Sequence, residues 1–119
     1  MRGYIEDLQK LPEQVELLLN NKNRIQKFAN RYLAAREVFF IGRGIDYAIS
    51  MEGSLKLKEI SYIHSEAYAA GELKHGTISL IEEGTLVTAI LTQKELYKKE
   101  HQQYRGSKDQ RSIVLAITN

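Results

Sequence analysis

Three charged residues, Glu52, Lys56 and Glu59, are spaced at i, i+4 and i+7, so a helix would place them on one side. A carboxylate in apolar surroundings is suited to act as a general base. The same spacing also gives two helical ion pairs, each worth roughly a few tenths of a kcal/mol on an exposed surface. The spacing alone leaves two alternatives open, a polar pocket on the helix and a solvated row of ion pairs.

The helix that carries these charges is predicted to begin near Ala48. At roughly 100° per residue, its apolar side chains form one broad arc that also contains the three charges. Because apolar side chains normally face a core, we expect this arc to lie against the rest of the domain, where the charges would line a pocket. The arc comprises Ile49, Met51, Leu55, Ile60, Tyr62 and Ile63, and the opposite side comprises Ser50, Ser54, Lys58 and Ser61.

Apolar runs on either side of this helix predict buried parallel strands at 37–41, 86–91 and 112–117. The segment 66–70 is predicted to be a short helix ended by Gly71, and 94–103 to be a polar helix. Strands that alternate with helices indicate an α/β fold with a parallel sheet. The third strand is expected to have an uncovered outer side, which favours association.

The N-terminal residues have a helical period that Pro12 interrupts. We predict one helix ending near Lys10, a second beginning at Pro12 and another over 22–35. The expected organisation is a helical segment, 1–35, that leads into a domain spanning 36–119.

Gly42, Arg43 and Gly44 follow the first predicted strand. The carboxyl end of a parallel strand is where open α/β sheets bind ligands, and the next helix offers N–H groups to an anion. Paired glycines after a strand are more often only a tight turn, and Arg43 and Asp46 would equally suit surface positions. The turn alone is therefore a weak indication of a ligand site.

Composition excludes several classes of function. The 119 residues carry a net charge of only +2, too small to indicate nucleic-acid binding, and they include no cysteine for disulfides, thiolate catalysis or metal binding. Short apolar runs indicate a soluble, cytoplasmic protein with no membrane partner. The histidines lack metal-ligand spacing, so neither a metal nor another cofactor is expected, and His64 is predicted to be a hydrogen-bonded core residue.

Residues 52–76, with the sequence EGSLKLKEISYIHSEAYAAGELKHG, closely resemble the second sugar isomerase (SIS) domain of the glucosamine-6-phosphate synthase family. Residues 40–44 and 11–15 extend the resemblance, which covers about 9–93. It implies a three-layer parallel sheet of the flavodoxin-like SIS type, incomplete at its C-terminus, after an N-terminal helical segment.

The resemblance also implies a chemistry and its residues. The family's isomerase region interconverts ketose and aldose phosphates, so fructose-6-phosphate or glucosamine-6-phosphate is the expected ligand. Glu59 matches the glutamate that shuttles the proton, Lys56 a lysine of the same pocket, and His75 the histidine of ring opening, which the family supplies across a dimer interface. A homo-oligomer is therefore expected. The expected substrate-binding residues are Gly42, Arg43, Gly44 and Glu52.

The family enzyme also has a glutaminase domain with a cysteine nucleophile, a first isomerase domain with phosphate loops, and a lysine in a C-terminal segment. The sequence shows none of these, so we expect a fragment of the isomerase region that is inactive alone, and whether it is an enzyme stays open. One alternative is a non-catalytic SIS module that binds a phosphosugar. Another is a structural role in dimerisation.

Overall fold

The computed structural model describes residues 2–72, 81–93 and 112–118. The chain divides into two units, Met1–Ala34 and Ala35–Asn119. The first unit contains helices α1 (Arg2–Asn20) and α2 (Lys22–Arg31). The predicted break at Pro12 is wrong, because α1 continues through it. Proline removes a single hydrogen bond, to the carbonyl of Leu8, and this turn is exposed, so water can bind that oxygen.

Helix α2 is shorter than predicted because the backbone leaves helical geometry at Tyr32. The amide of Tyr32 donates to the carbonyl oxygen of Ala29 at 3.0 Å, which closes the last turn. The ring of Tyr32 packs on that of Phe28, with 4.7 Å between ring centroids. None of the helices that the structure describes is both long and apolar enough to cross a lipid bilayer.

The second unit is a parallel sheet with a helix packed on one face, which confirms the expected α/β fold. Its elements, in chain order, are β1 (Glu37–Gly42), α3 (Ile45–Ser61), β2 (His64–Ala69), β3 (Leu86–Leu91) and β4 (Ile113–Thr118). The strand order is β2-β1-β3-β4, with every neighbouring pair parallel. Three of these strands lie close to their predicted positions, while the predicted helix at 94–103 lies outside the described residues.

Strand β2 corrects the prediction of a short helix at 66–70. All six of its residues pair in register with β1, from Glu37 opposite His64 to Gly42 opposite Ala69. The alanines of this segment favour a helix locally, but the ladder with β1 overrides that weak preference. The described part of the sheet therefore has four strands rather than the three predicted.

The core lies around β1 and β3. Phe39 and Ile41 of β1 pack with residues of β3 on one face, and Phe40 points to the other face, where its ring meets Gly53 of α3. All six residues of β3 are buried, as expected for a central parallel strand. Strand β4 is largely exposed, including Val114 and Ile117, in agreement with the expected uncovered side.

Helix α3 is turned the opposite way from the prediction. The buried residues of α3 are Asp46, Ser50 and Ser54, whereas the apolar arc faces outward. Small side chains and Gly53 let the helix approach the sheet closely, which larger apolar residues at these positions would prevent. The exposed apolar residues of the arc are Ile49, Met51, Leu55, Ile60 and Tyr62.

Candidate functional site

The carboxyl edge of the sheet contains a topological switch point between β1 and β3. The chain leaves β1 for β2 on one side, and then returns to β3 on the other side of β1. In open α/β sheets, ligands bind in the crevice that this reversal creates. The turn of Gly42, Arg43 and Gly44 lies at this point, together with Thr92 and Gln93 after β3.

Both glycines of the turn are required by its geometry. A Cβ on Gly42 would lie 2.4 Å from the backbone carbon and oxygen of Asp46, so only glycine fits. Gly44 has a φ of +56° and precedes the first residue of α3. The carbonyl oxygen of Gly42 also accepts the amide hydrogen of Ala70 at 2.9 Å. The turn is thus fixed to both α3 and the end of β2.

Asp46 and Gln93 fix the same turn to the end of β3. Asp46 is only 1% exposed, which excludes the surface position that the sequence left open for it. Its Oδ2 accepts the amide hydrogen of Thr92 at 3.0 Å, and its Oδ1 accepts the Thr92 hydroxyl hydrogen at 2.5 Å. Gln93 Nε2 donates to the carbonyl oxygen of Arg43 at 2.6 Å. Sequence reasoning missed Thr92 and Gln93, although their position directly after a predicted strand was a usable signal.

The side chain of Arg43 is half-buried beside the turn that follows β2. Its guanidinium Nη2 lies 3.9 Å from where a Cβ on Gly71 would be. His75 lies outside the described residues.

The row of Glu52, Lys56 and Glu59 is on the outward face of α3, as close together as the spacing predicted. Lys56 Nζ lies 2.9 Å from Glu59 Oε2 and 3.7 Å from Glu52 Oε1, and the three side chains are 53–63% exposed. In this chain the row therefore forms two solvent-exposed ion pairs. This is the second of the two alternatives that the spacing left open, a solvated row rather than a polar pocket. Chemically, it presents an ammonium group held between two carboxylates.

The charged row and the glycine turn do not lie together. At 1.5 Å per residue along the helix, Glu52 is about 12 Å and Glu59 about 22 Å from Gly44. One hexose phosphate is too short to bridge Gly44 and Glu59. The predicted site residues thus fall into two regions, the switch-point crevice and the outer face of α3.

A third polar cluster lies on one face of the edge strand β2. The Tyr68 hydroxyl donates to a Glu66 carboxylate oxygen, and His64 Nε2 lies 3.4 Å from the other oxygen. The hydrogen bond to Glu66, helped by burial, raises the pKa of Tyr68 to about 12. The Tyr68 ring packs on Phe39, whereas His64 is 61% exposed, so the predicted core position of His64 is wrong.

Lys58 lies on a different side of α3 from Lys56. It lines a shallow groove of about 300 Å³ between α3 and β2. Across the residues that the structure describes, no three histidine, aspartate or glutamate side chains are arranged to hold a metal ion.

Comparison with known proteins identifies close relatives along the whole chain. A "Glutamine--fructose-6-phosphate aminotransferase [isomerizing]" of Caldanaerobacter subterraneus subsp. tengcongensis is 57% identical over 113 residues, which are 95% of this chain and 19% of that protein. The enzyme of the same name from Methanosarcina acetivorans is 43% identical over 119 residues, 100% of this chain and 19% of that protein. The chain therefore spans about a fifth of the length of these relatives.

A solved structure has the same fold. The C-terminal domain of glucosamine-fructose-6-phosphate aminotransferase from Francisella tularensis superposes with a TM-score of 0.91 at 33% identity, over 98% of this chain and 32% of that one. The family model for the SIS domain matches residues 31–119. These residues contain the sheet, α3 and both regions of candidate site residues. On this evidence, the chain belongs to the SIS domain family.

Proposed function

We propose that this chain is one wall of the isomerase site of a glutamine:fructose-6-phosphate aminotransferase, where it binds a sugar phosphate. The observation that carries the proposal is the outward face of α3. Large apolar side chains surround a charged row there, an arrangement typical of a surface that another protein surface covers. The chain alone is proposed to be inactive, because the row is open to water on that side.

The proposed roles follow from the charges and their contacts. Glu59 moves the proton between the two sugar carbons, and Lys56 stabilises the negative charge that develops on the enediol. Glu52 holds Lys56 in place from one turn away, and also contacts substrate. Their electrostatic effect would increase once a covering surface excludes water, because the effective dielectric falls. His75 is proposed to open the sugar ring from a second copy of the chain, in a cytoplasmic homo-oligomer.

The glycine turn has a separate proposed role. Gly42, Arg43 and Gly44 would hold an anionic group at the N-terminus of α3, with the Arg43 guanidinium beside it. Because the turn is about 22 Å from Glu59 along the helix, one sugar phosphate would occupy either the turn or the far end of the row. In this arrangement, residues 36–119 contain the binding domain and residues 1–35 lead into it.

A non-catalytic phosphosugar-binding module is the second candidate. The observation that favours it is the pairing of Lys56 with both Glu52 and Glu59, so that the three charged groups contact one another. Such a module would bind the ligand, and its affinity would not depend on the base Glu59.

A titration with glucosamine-6-phosphate tests the proposal. Amide NMR shifts of the isotope-labelled chain are followed, and we expect saturable shifts around Glu52, Lys56 and Glu59. Lys56→Met should weaken binding at least tenfold, which corresponds to about 1.4 kcal/mol. Lys58→Met is the matched control, since it removes an exposed ammonium group from the other side of the same helix, and it should bind normally.

The other outcomes separate the alternatives. Saturable binding that is unchanged in Glu59→Gln, without turnover when the missing parts are supplied, would favour the non-catalytic module. Shifts confined to Gly42–Gly44 would assign the ligand to the turn. A well-dispersed spectrum without any saturable shift would contradict sugar phosphate binding by this chain.

A further inference from the structure

The hydrophobic pattern of α3 does not explain why this helix packs as it does. Its large apolar residues face outward, while a row of small polar residues at i, i+4 and i+8 faces the sheet. Burial of apolar surface within the domain would favour the opposite rotation. Some other interaction must therefore select the observed orientation. The buried row consists of Asp46, Ser50 and Ser54.

The first residue of that row makes the strongest specific contacts. Both carboxylate oxygens of Asp46 accept hydrogen bonds from Thr92, one from its amide and one from its hydroxyl. A buried carboxylate without such partners would be very costly, so a rotation of α3 that withdrew Asp46 from Thr92 would be strongly opposed. Its place in the first helical turn also favours its negative charge.

The two serines of the buried row contribute less than Asp46 to holding α3 on the sheet. The Ser50 hydroxyl donates to the carbonyl oxygen of Asp46 at 2.8 Å, within the helix itself. The Ser54 hydroxyl is buried without a hydrogen-bond partner among the described residues. Neither serine therefore ties α3 to a strand. Among the described residues, the two hydrogen bonds that Thr92 donates to Asp46 are the polar link between the buried row and the end of β3.

We propose that Asp46 is a positioning residue that fixes the rotation of α3 about its axis. By holding the small polar row against the sheet, it keeps the charged row of Glu52, Lys56 and Glu59 on the outward face. The inference rests on the proposed function only for the use of that row. The orientation itself can be measured without any ligand.

Single cysteines report the orientation, because the chain contains no cysteine of its own. Ser54→Cys places a thiol on the inward face and Leu55→Cys places one on the outward face. In the otherwise unchanged chain, we expect a thiol reagent to modify position 54 at least about 100-fold more slowly than position 55. In the Asp46→Leu background, the ratio of the modification rate at position 55 to that at position 54 should fall at least tenfold.

Two further variants separate positioning from general stability. Asp46→Asn can still accept the Thr92 amide hydrogen and donate to its hydroxyl oxygen, so it should restore the ratio to within about twofold. Val87→Ala, in the core on the other face of the sheet, should leave the ratio unchanged when denaturant equalises the free energy of unfolding with that of Asp46→Leu. If Asp46→Leu does not fold, Thr92→Val removes only the hydroxyl bond and should give an intermediate ratio.

The inference would be overturned by an unchanged ratio in folded Asp46→Leu and Thr92→Val chains, or by an equal fall in Val87→Ala. An unchanged ratio would indicate that close packing of Gly53 on Phe40 selects the orientation instead. An equal fall in Val87→Ala would indicate that the ratio follows general stability. A failure of sugar phosphate binding would not affect this measurement, so the two proposals fail independently.

Discussion

Gly42→Ala is expected to be among the most destabilising single substitutions in this chain. The added Cβ would lie 2.4 Å from the carbon and oxygen of Asp46 and 2.7 Å from the nitrogen of Tyr47. Non-bonded carbon atoms normally lie about 3.5–4.0 Å apart, so the overlap is about 1 Å. All three neighbours are backbone atoms of α3, which cannot move without shifting the helix. We therefore expect a loss of about 3 kcal/mol or more in the free energy of unfolding.

Two other glycines provide matched controls for this estimate. Gly84 has a φ of +86° but open space around it, so Gly84→Ala should cost only the left-handed strain, about 1–2 kcal/mol. Gly53 lies in α3, and a Cβ there would be 3.1 Å from the side-chain ring of Phe40 rather than from backbone. The gain in helix propensity, about 1 kcal/mol, should offset most of the repacking cost. The expected order of destabilisation is thus Gly42, Gly84 and Gly53.

Urea denaturation, monitored by circular dichroism, measures the loss in free energy of unfolding for each of the three variants. The midpoints are compared at a common slope. A Gly42→Ala chain that does not fold at all would agree with the estimate. A Gly42→Ala chain that loses less stability than Gly84→Ala would refute the reasoning, since it would mean that α3 can move away from β1 at little cost. The close approach that positions the switch-point turn would then not be a constraint.

Two further predictions concern charged groups. Tyr68 should titrate late when followed by absorbance, because its pKa is raised to about 12. The unfolded chain loses that proton from about pH 10, so the stabilisation from the Tyr68 bond is complete below pH 10 and is lost as the pH rises to about 12. Glu66→Gln should remove the late-titrating group, and a late group that persists in Tyr68→Phe would contradict the assignment. Lys56→Met should change the free energy of unfolding by less than about 1 kcal/mol, because both of its ion pairs are exposed, and a larger loss in urea denaturation would contradict that view.

The central strands of the sheet could be predicted because their sequences carry a strong signal. Strand β3 is buried on both faces, so its residues form the nearly continuous apolar run that is typical of such strands. Strand β2 gave no such run, since it lies at the edge and alternates polar His64, Glu66 and Tyr68 with small residues. Only its pairing with β1, a contact distant in sequence, makes it a strand.

The arrangement of the candidate site residues could likewise be predicted from the sequence only in part. The spacing of Glu52, Lys56 and Glu59 was enough to place them on one face, because helix geometry fixes neighbours at i+3 and i+4. The burial of Asp46 could not be derived in that way. Its partner Thr92 is 46 residues away, and their contact requires the adjacency of β1 and β3.

The reversed orientation of α3 shows what a hydrophobic pattern does and does not determine. Such a pattern predicts that a face avoids water, but it does not specify which neighbour covers that face. If another protein surface covers the outward face of α3, as proposed, two faces of one helix are selected at once. The sheet selects small residues that permit close approach, and an outer surface selects large apolar ones. In α3 the large apolar residues are on the outward face. Hydrophobicity alone therefore assigns the inward and outward faces of this helix the wrong way round. Small residues bonded to a strand end are then the better guide to the sheet-facing side.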